Sequence, residues 1–329
     1  MPLARPRSGA LTAFGRRAGI GATTVIVSSL LIVMGLHAAP GGPISFLFAN
    51  QSPSPAAISA MEAHYHLNDP VWMQYLLWLG DAVQGHFGDS VITGQSVTSM
   101  ISGRLGTTAL LLAYASVIIL VFGVLFGLLV TFLNSRLVDS AFITVTSVGV
   151  AIPGFVAAIV LVLLFAVQLT IFPVYGSGSD LGDQLWHLTL PAVAISIPPS
   201  ALLARITRAS CREEMERKHV QTAVARGLRT PTIAVRHVLR NAMIPISTSF
   251  GVTVAELIGG TVIVEQVFGL NGVGSLLIQS VNSRDFPVVQ AITLMIVIFF
   301  VVVNLLLDVL YVVIDPRLRR ISTAALSNA

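Results

Sequence analysis

The sequence predicts an all-α membrane protein of six spans, and three observations predict it. Of 329 residues, 54% are hydrophobic and only 10% are charged, where a soluble domain carries about 25% charged residues. Apolar runs of about 20 residues recur along the chain, each long enough to cross a hydrocarbon core of about 30 Å as a helix. Nearly all of the basic residues fall into alternate connections between these runs. Helices follow from the solvent: in lipid every backbone polar group has to be bonded within its own segment or in a closed barrel.

The spans are expected at about 18–37, 106–133, 142–168, 187–207, 243–265 and 288–314. The first follows Arg16-Arg17 and ends near Leu36-His37-Ala38-Ala39. It has the outline of a signal peptide, but further spans follow and the cleavage-site pattern is weak, so a retained helix is expected. Residues 38–105 form a long outer loop, Asn134–Asp139 a short turn, and 175–184 a Gly/Ser-rich loop. A basic loop at 208–242 and a loop around 267–287 complete the connections. This divides the chain into an N-terminal segment 1–17, a transmembrane domain 18–320 and a tail 321–329.

Basic residues orient these spans. Of 19 Lys and Arg, 17 fall on one side: before the first span, at Arg136, from Arg205 to Arg240, and at Arg317, Arg319 and Arg320. Only Arg104 and Arg284 fall on the other. Positive residues remain inside, so both termini and the basic loop are expected in the cytoplasm and residues 38–105 outside. The isoelectric point near 9.7 reports this topology rather than nucleic-acid binding. The chain's one cysteine, Cys211, gives no internal disulfide and reads as an ordinary reduced thiol.

Convergent reactive groups are not visible. The sequence has no HExxH, no GxSxG and no paired Asp-rich motif. Its one lysine, Lys218, precedes His219, so there is no GxxxxGK[ST] loop to hold a nucleotide. His64-Tyr65-His66 is a close histidine pair without a third ligand and reads as a solvated loop, so no metal is expected. Glu256, Asn304 and Asp308 are polar groups within spans. They read as helix–helix hydrogen bonding, with Asp308 one turn from Asn304, or as the relay of a proton-coupled carrier. Pro153-Gly154, Pro191, Pro198-Pro199 and Gly259-Gly260 are candidate bending points; the glycines serve close helix packing equally well.

The basic loop has its own helical grammar. Arg212 to Arg226 holds no Pro or Gly and is expected to continue the fourth helix. Gly227 stands where a left-handed C-terminal cap would end it. Thr230-Pro231 then reads as a hydroxyl N-cap with Pro at the first helical position. A second helix is expected from Pro231 to about Ala242, with Ile233, Ala234, Val238 and Ala242 along one stripe. Positive-inside topology explains the arginines of this loop but not its punctuation, which suggests a docking element.

Here the residues carry a resemblance. Gln221-Thr222-Ala223, then Gly227, then His237-Val238-Leu239 resembles the EAA loop of bacterial ABC-importer permeases, with Gln221 in place of Glu and Arg240 in place of Pro. ARGL followed by RHVLRNAMIP is similar to the dipeptide/oligopeptide/nickel branch. So are LNDPVWMQYLLWLGDAVQGHFGDS (67–90), GGTVIVEQVFGLNGVG (259–274), RDFPVVQ (284–290) and NLLLDVLYVVIDPRLR (304–319). Gly42, His86 and Asn271 stand where that branch has Asp, Asp and Pro. The resemblance implies a six-helix, type I importer permease in a bacterial inner membrane. It also implies a second, homologous permease, two ATPase subunits that hold ATP and Mg, and an extracytoplasmic solute-binding protein.

On that resemblance Gln221, Thr222, Ala223, Arg226, Gly227, Leu228, Thr230 and Pro231 form the ATPase-coupling loop. The solute is a di- or oligopeptide, with nickel or another small solute as the alternative. Five of the seven histidines lie on or near the outer side, but they are dispersed, and a nickel site wants convergent imidazoles. The apolar patch Tyr75–Leu79 is expected to pack on the chain's own outer face rather than to meet the binding protein.

Overall fold

The computed structural model describes residues 8–38, 55, 59, 68–133 and 135–314, and these are almost wholly helical. In chain order the helices are α1 (Ser8–Ala38), α2 (Val71–Val83), α3 (Val97–Leu133), α4 (Arg136–Ala151) and α5 (Gly154–Leu161, extended by π-helical turns over Val162–Gln168). Then come α6 (Leu181–Met215), α7 (Lys218–Ala225), α8 (Thr230–Val267), α9 (Val273–Asn282) and α10 (Phe286–Ile314). Five of these are long and apolar enough to cross a membrane: α1, α3, α6, α8 and α10. The sequence expectation of spans holds for each, although α3 and α6 run several residues beyond their apolar cores.

The expected third span, 142–168, is not one helix. α4 and α5 meet at 99°. Ile152 is extended (φ −78°, ψ 118°), as a residue before proline tends to be, and Pro153 (φ −62°, ψ 140°) starts the next helix. At 1.5 Å per residue α4 is only about 24 Å long, so neither half crosses alone. Counted as one broken span, the pair makes the sixth. Pro191, Pro198 and Pro199, expected as bending points, all lie inside the uninterrupted helix α6. The loop expected around 267–287 contains α9, whose Val273 and Leu276 are buried.

Two compact units are present, each with its own packing. Of the described residues, one holds 8–14, 109–133, 135–270 and 303–314. Here α6 is the central helix, packed against α4, α5 and α8. Its buried face includes Leu203, Ala204, Thr207 and Cys211. α3 reaches α6 through two glycines four residues apart: a Cβ at Gly123 would stand 2.8 Å from the Leu203 side chain, and one at Gly127 2.5 Å from the Ala204 carbonyl oxygen. This is the small-xxx-small device of membrane helix pairs. Gly251 of α8 is filled in the same way by Leu307 of α10. A Cβ at Gly259 or Gly260 would meet nothing within 4 Å, so the expectation of close packing there fails within this chain. The helix also runs through both uninterrupted.

Of the described residues, the other unit holds 15–38, 55, 59, 68–108 and 271–302. Its core joins Val97 and Ile101 of α3 to Val273 and Leu276 of α9 and Val288, Ala291 and Ile292 of α10. Two stretches that the sequence offered separately, FGDS and RDFPVVQ, meet here. The Ser90 hydroxyl donates to Asp285 Oδ2 at 2.5 Å and the Val91 amide to Oδ1 at 3.2 Å, with Ser90 and Asp285 both buried. The patch 75–79 divides: Tyr75 is buried with its hydroxyl 2.8 Å from Ser29 Oγ, while Leu76 and Leu77 stay exposed. His64 and His66 lie outside the described residues.

Candidate functional site: a folded basic loop

The basic loop is folded, with breaks that differ from the expected ones. α6 stops at Met215, and Arg217 is extended (φ −72°, ψ 142°), so Arg212 to Arg226 is not one helix. No Pro or Gly marks this break; side-chain bonds hold it. Glu214, 7% exposed, accepts from Arg217 Nε at 3.0 Å and from Asn241 Nδ2 at 3.1 Å, and its Oε1 lies 3.3 Å from His219 Nε2. Asn241 Nδ2 also donates to the His237 carbonyl at 3.0 Å. This hub pins the end of α6, the start of α7 and the first turns of α8 to one buried carboxyl. A charge so buried is tolerated when paired and hydrogen-bonded. The signal that could have found it is an acid pair, Glu213-Glu214, inside a run of arginines.

α7 carries Gln221, Thr222 and Ala223. Val220 and Ala223 are buried, and α7 packs against the π-helical turns Ile233–Leu239 of α8. The expected stripe is present: Ile233, Ala234, Val238 and Ala242 are all buried. Gln221 and Thr222 face outward, with Gln221 Nε2 donating to the Glu216 carbonyl at 3.1 Å and Thr222 Oγ1 to that of Lys218 at 2.9 Å. Gly227 has φ +72°. The Leu228 amide donates to the Ala223 carbonyl and the Gly227 amide to that of Val224, the bond pair of a Schellman cap.

α8 begins one residue earlier than expected. Arg229, extended, is its N-cap, and Thr230 makes no side-chain cap bond. Pro231 is then the second helical residue, which costs nothing because the first amides of a helix have no internal acceptor. The second helix does not end near Ala242 but continues to Val267. The elbow from Val224 to Thr232, with Arg226, Gly227, Leu228, Thr230 and Pro231, is exposed throughout.

A second ionic tie fixes α4 to α6: Asp139 takes Arg208 Nη2 at 2.7 Å and Arg212 Nη2 at 2.5 Å, and Arg208 lies over the Phe142 ring at 5.4 Å. These two arginines thus hold structure. Cys211 is fully buried on α6. Pro153 and Gly154 sit at the α4–α5 bend, and Pro198 and Pro199 lie within α6, away from the elbow in sequence. Glu256 is exposed and Asn304 half-buried; the Asp308 side chain lies outside the described residues. Among the described residues no group of three or more His, Cys, Asp or Glu is placed to hold a metal.

A polytopic helical protein with one exposed, rigidly braced elbow is the class that fold and site define. The chain belongs to the family described as binding-protein-dependent transport system inner membrane component, whose model matches residues 120–320. It is 36% identical over 307 residues to a putative peptide permease protein of Brucella suis, covering 91% of this chain and 96% of that one. It is 35% identical over 289 residues to the oligopeptide transport system permease protein AppB of Bacillus subtilis, covering 86% and 91%. It is 32% identical over 296 residues to the glutathione transport system permease protein GsiC of Escherichia coli K12, covering 90% and 95%. The chain is therefore a membrane component of a binding-protein-dependent importer.

Proposed function

We propose that the chain is a permease subunit for di- and oligopeptides. It lines half of a translocation path, and a second homologous permease lines the other half. The observation that carries the coupling role is the exposed Val224–Thr232 elbow braced by the buried Glu214 hub. Val224 and Leu228 present an apolar tip flanked by Arg226 and Arg229, suited to a cleft with an acidic rim on an ATPase subunit. ATP and Mg belong to two such partner subunits, and an extracytoplasmic binding protein delivers the solute.

A push on the elbow moves α7. The hub passes it to α6 and, through Asn241, to α8, which continues unbroken into the membrane. Closure of the ATPases thereby biases two packings of the spans through differential contacts. The peptide assignment is supported by the names of the relatives cited above. Uptake of labelled dipeptide and of nickel in a deletion strain tests it: dipeptide uptake is expected to vanish and nickel uptake to persist. Loss of nickel uptake alone would reverse the assignment.

The orientation is tested separately. Ser90 is buried and unsuitable for labelling, whereas Val83 is 82% exposed and Thr230 is exposed. In intact cells a membrane-impermeant thiol reagent is expected to modify Val83→Cys and not Thr230→Cys, with native Cys211 silent because it is buried. Modification at Thr230→Cys alone would invert the topology.

A further inference from the structure

Glu256 lies near the middle of the apolar stretch 243–265 of α8, on a face with Val252, Gly259, Gly260 and Ile263, all exposed. No hydrogen bond or ion pair from the described residues reaches its carboxyl. An ionisable side chain at that depth does not face lipid without heavy cost; it faces water, a solute or another chain. One turn further on, Gly259 and Gly260 have nothing within 4 Å of where a side chain would begin. The glycines that serve seams within this chain, Gly123, Gly127 and Gly251, are instead filled by facing groups.

We propose that Glu256 faces the aqueous path halfway across the membrane, over an open shelf made by Gly259 and Gly260, and attracts the cationic amino group of a passing solute. A permanent seam with the second permease would require a fixed cation or hydrogen-bond donors opposite the carboxyl. A path supplies water and a transient cation, and an α-amino group with a pKa near 8 is largely charged at neutral pH. Val252 and Ile263 flank the carboxyl and no second ionisable residue shares this face, so the station is one charge wide. A single weak attraction of this kind slows a solute little, as passage requires. The proposal rests on the reading of the chain as an importer permease, and its substrate-independent test separates the two.

The test uses Gly260→Cys in the complete transporter in membrane vesicles, where the open shelf accommodates the new side chain. The probes are a cationic and an anionic methanethiosulfonate reagent. Residues four apart on a helix hold their Cβ atoms about 6 Å apart. A unit charge at that distance in water changes local concentration about threefold, in opposite senses for the two signs. With each rate normalised to that of the same reagent on a free thiol in solution, the cationic reagent is expected to react about tenfold faster than the anionic one, and Glu256→Gln should bring this normalised ratio close to one. Failure of both reagents to react would place the face in a seam or in lipid and overturn the proposal, as would a ratio near one or one unchanged by Glu256→Gln. Uptake of labelled trialanine supplies the second readout. Glu256→Gln is expected to lower its maximal rate severalfold and Glu256→Asp to preserve most of it, with co-purified ATPase unchanged. Loss of the ATPase or of the second permease in Glu256→Gln would make the residue an assembly contact and sink the idea. If the parent complex takes up no trialanine, the peptide assignment fails while the labelling result still decides the role of Glu256.

Discussion

Gly127→Val is expected to leave little of the chain in the membrane. Even a Cβ at residue 127 would stand 2.5 Å from both the Ala204 carbonyl oxygen and Thr207 Cβ. A backbone oxygen cannot rotate aside, so α3 and α6 must separate. The gap falls along the most buried face of α6, where Leu203 and Cys211 have no exposure and Ala204 almost none. Overpacking of a tight core costs about 1–3 kcal/mol, and valine adds two methyl groups to the clash. Separation also forfeits the close dispersion contacts that hold membrane helices together in the absence of a hydrophobic driving force. Gly106→Val on the same helix, where nothing lies within 4 Å, is the matched control. Immunoblots of membranes and thermal melting of the purified complex should show a large loss for Gly127→Val and a small one for Gly106→Val. Equal accumulation and melting of the two variants would refute the close α3–α6 seam.

That seam is legible in the sequence, since Gly123 and Gly127 have small-xxx-small spacing within an apolar run. The long spans are legible because hydropathy reports solvent directly: about 20 apolar residues in a row have one use. Pro153 marks a place where the backbone yields, but the 99° angle there depends on what α4 and α5 pack against. Pro191, Pro198 and Pro199 carried the same local signal and produced no break. A proline's freed carbonyl finds partners only in the folded neighbourhood, which composition does not describe. In the loop, Gly227 was legible because a positive φ is a local property. The end of α6 was not, because the bond from Asn241 to Glu214 that helps fix it spans 27 residues. The exposure of Glu256 belongs to the same class. Its position in the span was plain, but which face it occupies depends on where Leu307 and the buried stripe of α8 lie.

Gly227→Val tests the other end of the chain's function and separates folding from coupling. Gly227 has φ +72°, and a Cβ there meets nothing within 4 Å. The penalty is therefore backbone strain alone, on the order of 1–2 kcal/mol for an L-residue in the left-handed region. Two outcomes relieve it. Either the Schellman bonds from Leu228 and Gly227 to α7 break, or the elbow rotates and carries Arg226, Leu228 and Arg229 to new directions. Both disturb the exposed tip, while the Glu214 hub and the buried Val220, Ala223 and Val238 remain in place. The variant is expected in membranes at the parent level and paired with the second permease. It should retain less ATPase on purification and show little solute-stimulated ATP hydrolysis. Gly227→Ala, with a smaller side chain at the same φ, should fall between the two, and Gly227→Asn should be milder still because asparagine tolerates this conformation. The graded series matters because a destabilised fold would lower accumulation in parallel, whereas a misdirected tip lowers coupling alone. If Gly227→Val binds ATPase and transports like the parent, the left-handed residue only closes a loop and the elbow is not the coupling element.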